Sequence, residues 1–394
     1  MRYLLIRNIR LANLPPDQPP TSILVSGGRI VGIGQNLQHP LIDTDNLDAG
    51  GRYVIPALID ICKQQPKNFT PDLAKTLNFE NITTGITTII TVANDVEENI
   101  DDFEKQDFRK LNYSFHIPLR QVNEANRKKL RRLMVTNGIA SSFIRFNDDA
   151  KSDIHSLEQN IATATAIGLV VVYDFRFVPS SLDRLAKLEC LSEVLRKVDG
   201  SRSYILGIET TDEFRIVEEL RQHADVKAHI CFNPFEPYDE NSNRLAPDGI
   251  AAILRHDDWT SLGLASCVSR ALKEHWPDTT PEIIFRNKLP LLNAIQATKP
   301  LTPDELAEFT VGRVADFLGL RPPLARVSEG MSANLIIWDP DQDETVVIEM
   351  PGGAQRHIKL SGRIDYVVMN GQVVMGEKFI QQKVCGQHVY ARVV

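Results

Sequence analysis

Between two β-rich ends, short apolar runs alternate with stretches of helical spacing, and no other feature limits the possible folds as tightly. The runs are "GITTIITVAN", "ASSFIRF", "GLVVVYDF", "SYILGIET", "DVKAHICF" and "LGLAS". Between them lie patterns such as "DIHSLEQNIATATAIG", "SLDRLAKLECLSEVLRKV" and "TDEFRIVEELRQHA". Repeated strand-then-helix units imply a parallel sheet with helices outside it. Six or more units over about 275 residues fit a closed (β/α)8 barrel of the TIM type, whose usual size is ~250 residues. A doubly wound open sheet is the alternative α/β fold, but no GxGxxG follows the first barrel strand to support it.

The two ends share a texture. "YLLIRNIRLAN" and "SILVSGGRIVGIG" open the chain, and "ANLIIWDPD", "ETVVIEM" and "DYVVMNGQVVMG" stand near its end. Gly27-Gly28 and Asn370-Gly371 are hairpin signals between β-rich runs. The predicted organisation is a small β-sandwich domain from residues 1–55 and 331–394, around a barrel from 56 to 330.

Formal net charge is -7 and the sequence pI about 5.8, which argues against a nucleic-acid or acidic-membrane surface. The one dense basic run, "NRKKLRR", reads as the solvated face of a helix. No apolar run reaches the ~20 residues of a membrane span, and the apolar core of "MRYLLIRNIRL" is too short for a secretory signal. Five scattered cysteines without a CxxC indicate a reduced, cytoplasmic protein.

Four segments carry a family resemblance. "GRYVIPALID" resembles the "VxPGxIDxHxH" entry strand of the amidohydrolase superfamily, with Ala57 in the glycine place. "TTGITTIITVAN" is similar to the "AGGVTTVVDMPN" of its dihydroorotase group. "EGMSANLIIWDPD" and "VVMNGQVV" resemble the family's return to the sheet domain and its closing hairpin. The resemblance implies the barrel-plus-sheet fold and hydrolysis of cyclic amides with one or two divalent metals. In that chemistry histidines, a carbamylated lysine and an aspartate hold the metals and activate water.

Matched residue by residue, that ligand set is missing. Cys62 and Gln64 stand in place of the first two histidines, and "SSFIRF" contains no lysine. Arg145 is no substitute, since a carbamate needs a neutral amine. The later histidine places fall on Asp174 (or Tyr173), Gly207 and Val268, the aspartate on Cys267, and the substrate-gripping arginine on Pro66. Asn94 alone stands at a family substrate contact. The ligand-pocket candidates are therefore Asn94, Cys62, Gln64, Asp174 and Cys267, with no catalytic residue, metal or cofactor assigned. Asp174 is expected to be wetted or paired with Arg145 or Arg176, and Asp60 to order the turn after the first strand. His116 reads as a hydrogen-bonded structural histidine. His229 and Cys231 are further neighbours for a rearranged site, and "FNPFEPYDENSNRLAPDG" reads as a lid, an interface segment or a surface loop.

The resemblance implies a dihydroorotase-like pseudoenzyme, a structural partner of aspartate transcarbamoylase in pyrimidine biosynthesis or a homo-oligomer, more a non-enzyme than an enzyme. Two alternatives stay open. One is an amidohydrolase acting on cyclic amide C–N bonds with a rearranged metal or thiol site, and the other is a metal-free small-molecule sensor.

Overall fold

The computed structural model describes residues 2–14, 17–37, 44–63, 78, 81–92, 111–136, 139–146, 157–176, 178, 183–223, 225–232, 245–262, 301–349, 355–376, 379–380, 386–387 and 389–391. The first strands are β1 (Tyr3–Leu11), β2 (Thr21–Ser26), β3 (Arg29–Gly34), β4 (Thr44–Asp48) and β5 (Tyr53–Pro56). Gly27 and Gly28, at φ +57° and +75°, make the tight turn that sets Ser26 opposite Arg29. Two successive positive-φ residues match the right-handed twist of the flanking strands, hence the glycines.

Eight strands follow for the second sheet: β6 (Leu58–Lys63), β7 (Ile86–Val92), β8 (Asn112–Pro118), β9 (Ile139–Arg145), β10 (Val171–Asp174), β11 (Arg202–Ile208), β12 (Lys227–Phe232) and β13 (Thr260–Leu262). They lie side by side in chain order, every neighbouring pair parallel. β8 and β10 are buried at every position, as expected where both faces are covered, including the polar Asn112, Ser114, His116 and Asp174. Helices α1 (Arg127–Thr136), α2 (Glu158–Ala166), α3 (Arg184–Leu195), α4 (Thr211–Arg221) and α5 (Pro247–His256) alternate with the strands. Thr210 and Glu213 start α4 as a reciprocal capping box, satisfying two orphan N–H donors.

The sheet curls. Cys62 on β6 touches Asp174 on β10, four strands away, and His116 on β8 reaches the Ile61 carbonyl on β6. Such contacts exist only on the concave face of a strongly bent sheet. A helical segment closes the opposite side: α6 (Pro303–Ala307), a π turn (Glu308–Gly312) and α7 (Arg313–Leu318), with the π turn packed on both outer strands, β6 and β13. This is the predicted barrel architecture.

The short β14 (Leu320–Arg321) leads into the long β15 (Leu335–Glu349) and β16 (Gln355–Met369), then β17 (Gln372–Gly376), β18 (Phe379–Ile380) and β19 (Tyr390–Ala391). β15 pairs antiparallel with β5, Ile336 opposite Ile55, so strands from both ends of the chain join one nine-stranded sheet. Along β15, Leu335 and Ile337 pack with Ile6, Ile9 and Ile23, while Ile336 and Trp338 pack with the barrel core. The period of two thus serves two cores from one strand. Asn370 and Gly371, at φ +50° and +77°, form the second expected hairpin turn.

Candidate functional site

Registers on the concave face stack the interior in layers. Phe143, Val172, Tyr204 and His229 stand level on β9 to β12; one step nearer the mouth stand Arg145, Asp174, Leu206 and Cys231. The lower layer is aromatic, with Tyr204 and His229 stacked at 4.9 Å and 8° and Phe317 of α7 tilted against His229. Burial pushes His229 well below the usual imidazole range, which keeps it a neutral packing group. Burial also pushes the Cys231 thiol up to about 11, so it behaves as a small hydrophobe.

The upper layer is ionic and centred on Asp174. Oδ1 accepts from Arg176 Nε at 2.8 Å and from the Arg176 backbone N–H at 3.2 Å. Oδ2 accepts from Arg176 Nη2 and Arg145 Nε, each at 3.0 Å, and Cys62 Sγ lies 3.9 Å away. The Asp174 side chain has no solvent exposure, against 7% for Arg176 and 22% for Arg145. Burial alone would raise its carboxyl; the two guanidiniums outweigh that and hold it below the usual range. Arg145 also lies over the Phe143 ring, 5.5 Å from its centroid, with Nη2 at 4.0 Å from Cys62 Sγ.

His116 sits beside this cluster, fully buried and stacked on Phe143. Its Nε2 faces the Ile61 carbonyl, which only accepts, so Nε2 carries the proton and Nδ1 accepts from the Ser141 hydroxyl. Burial lowers it to about 4. It is the structural histidine expected from sequence. Asp60 accepts the Cys62 backbone N–H at 3.2 Å, which orders the strand end.

Of the five pocket candidates, the structure brings Cys62 and Asp174 together, while Gln64, Asn94 and Cys267 lie outside the described residues, as do Pro66, Val268 and most of the "FNPFEPYDENSNRLAPDG" stretch. Gly207 is informative. Its φ is +87°, it sits at the irregularity between Leu206 and Ile208, and a Cβ there would lie 2.5 Å from Arg176 Cγ. A position matched to a family histidine is thus closed to side chains. A glycine inside a strand pattern is the signal that could have revealed this close approach. Arg184, which ties the strand ends together, carried no sequence signal.

The donor chemistry decides how well the described residues suit the divalent metal implied by the resemblance. Both Asp174 oxygens are engaged by guanidiniums and both His116 nitrogens are engaged. Among the described residues no cluster of three or more His, Cys, Asp or Glu side chains is placed to hold a metal ion. These residues do not fit a divalent cation.

No family model matches the chain. A D-hydantoinase from Geobacillus stearothermophilus is 21% identical to it, over 93% of this chain and 92% of that protein. The solved dihydropyrimidinase from Brevibacillus agri superposes with a TM-score of 0.76 at 17% identity, covering 99% of both chains. The D-hydantoinase (dihydropyrimidinase) from Thermus sp. gives 0.74 at 17% identity over 96% of each. The chain has the hydantoinase fold. The expectation of a dihydroorotase-like partner of aspartate transcarbamoylase is corrected by these relations, which run to hydantoinases and dihydropyrimidinases. The error lay in inferring a role from missing ligands, since a fold carries function only through its site. Among the described residues, no helix of this hydantoinase-fold chain is long and apolar enough to cross a membrane.

Proposed function

We propose that the barrel mouth acts on the C–N bond of a cyclic amide through the Cys62 thiol in place of a histidine-held metal. The observation that carries this reading is the convergence of Cys62 Sγ with the Asp174–Arg145 pair, 3.9 Å and 4.0 Å away, at the mouth of a hydantoinase-fold barrel. The Arg145 guanidinium would stabilise negative charge on sulfur as it forms. Attack of sulfur on the ring carbonyl makes a C–S bond and breaks the ring C–N bond, with the thiol proton passing to the leaving nitrogen. Water then cleaves the thioester, giving the open-chain acid and restoring the thiol. Arg145, the more exposed of the two arginines, supplies a fixed donor for the developing oxyanion. A reducing compartment such as the cytoplasm suits this chemistry, and Cys62, Cys190 and Cys231 are free thiols.

A second reading, a metal-free binding protein for the same ring class, is favoured by the complete burial of Cys62 and by the commitment of Asp174 and His116 to other partners. One experiment separates the two. Chelator-treated protein is assayed for ring opening of hydantoin and dihydropyrimidine substrates, beside Cys62→Ser and beside a zinc-restored sample. Chelator-resistant turnover lost in Cys62→Ser supports the thiol reading. Binding without turnover supports the second, and turnover that returns only with zinc overturns both.

A further inference from the structure

Arg184, the first residue of α3, ties together the two strand ends that aim the groups at the mouth. Its Nη1 donates to the Phe175 carbonyl at 2.6 Å and its Nη2 to the Gly207 carbonyl at 2.7 Å. Its Nε donates to Glu213 Oε1 at 2.8 Å, while Glu213 Oε2 accepts from the backbone N–H groups of Glu209 and Thr210 at 2.8 and 3.2 Å. One guanidinium therefore joins the end of β10, the irregular end of β11 and the first turn of α4. Phe175 is the residue between Asp174 and Arg176, and Gly207 is the residue against which the Arg176 stem packs. The brace fixes the backbone just before Arg176 and the neighbouring strand end against which its stem packs.

We infer that Arg184 is a positioning residue for the mouth, holding Arg176 on Asp174 and so keeping Cys62 enclosed. The planar fork of arginine reaches two carbonyls on different strands and a carboxylate at once; a lysine, with one compact ammonium, does not. Loosening the fork lets the two strand ends separate, and local opening there uncovers the sulfur without global unfolding. The inference rests on the site proposed above as a place, and its test needs no substrate.

The measurement is the rate at which methyl methanethiosulfonate modifies Cys62 in the native full chain, followed by mass of the Cys62 peptide. Arg184→Lys is compared with Arg313→Lys. Arg313 is a matched control: its Nη1 donates to the carbonyls of Leu254, Asp257 and Thr260 at 2.9, 2.7 and 3.0 Å, at the opposite end of the barrel. Arg184→Lys is expected to speed modification at least tenfold, and Arg313→Lys to leave it within twofold although both lower the Tm. A rate within twofold in Arg184→Lys, or equal acceleration in both variants, overturns the assignment. Should Arg184→Lys fail to fold, Glu213→Gln keeps the shape of the capping side chain but withdraws the charge that orients Arg184. Acceleration of at least threefold is expected there, and no change counts against the inference. Absence of ring-opening activity in the assay above would bear on the thiol reading alone.

Discussion

Arg176 lays its stem over Gly207 so closely that a single methyl on the glycine would sit 2.5 Å from Arg176 Cγ and 2.9 Å from its backbone nitrogen. The glycine also holds φ at +87°, where any other residue is strained. Gly207→Ala should therefore destabilise the fold by about 2–4 kcal/mol in urea titration. A change below about 0.5 kcal/mol would show that Arg176 does not occupy this space.

Asp174→Asn removes the charge that two guanidiniums share. The cost should be about 3 kcal/mol, because Arg176 is left buried beside a neutral amide. The acid side carries a second signature. The Asp174 carboxyl is held below its usual range, so its contribution is full above the unfolded value of about 3.9 and is lost as pH falls below that. Stability of the unaltered chain should drop more steeply than that of Asp174→Asn below about pH 4. Parallel curves for the two proteins would refute the charge-paired carboxylate.

His116 acts in a milder window. In the fold it titrates near 4, against an unfolded value of about 6.5, so the unfolded chain takes up the proton first. Its contribution is full above about pH 6.5 and is lost progressively as pH falls toward 4, about 3 kcal/mol in all. Urea midpoints should fall from pH 7 to pH 5, and His116→Gln should flatten that slope. An unchanged slope would place the loss in other groups.

Truncation after Gly330 strips β15 from β5 and uncovers the ladder edge that carries Val54 and Ile55. Such an edge invites pairing with other chains. The fragment should aggregate on expression, as judged by its share in the pellet. A soluble fragment that melts cooperatively would show that the first strands stand alone.

The strand-and-helix alternation and both hairpin turns were legible because each is a local signal with a mechanical cause. The "NG" at 370–371 and the "GG" at 27–28 name turns that need two positive φ angles, and both turns form. The site was legible only in part. Pairing of Asp174 with Arg145 and Arg176 follows from the cost of a bare buried carboxylate and from the nearness of those arginines in sequence. The approach of Cys62 to Asp174 depends on curvature across four strands, which no sequence window contains. Arg184 was invisible for a related reason, since two of its partners are backbone carbonyls, which any residue type supplies, and the third, Glu213, stands 29 residues away. The functional role was misread because lost ligands report only on the chemistry that is gone.

The pairing of β5 with β15 also sets a schedule for biosynthesis. Pro56 leaves the ribosome roughly 280 residues before Leu335, its partner across the ladder. At ordinary elongation rates that interval is roughly 15–55 s. Throughout it, β1 to β5 must stay soluble with one edge open, while the whole barrel is made and begins to curl. The nascent chain therefore depends on early closure of the β1–β2–β3 meander, or on a chaperone covering the open edge, until the final strands emerge.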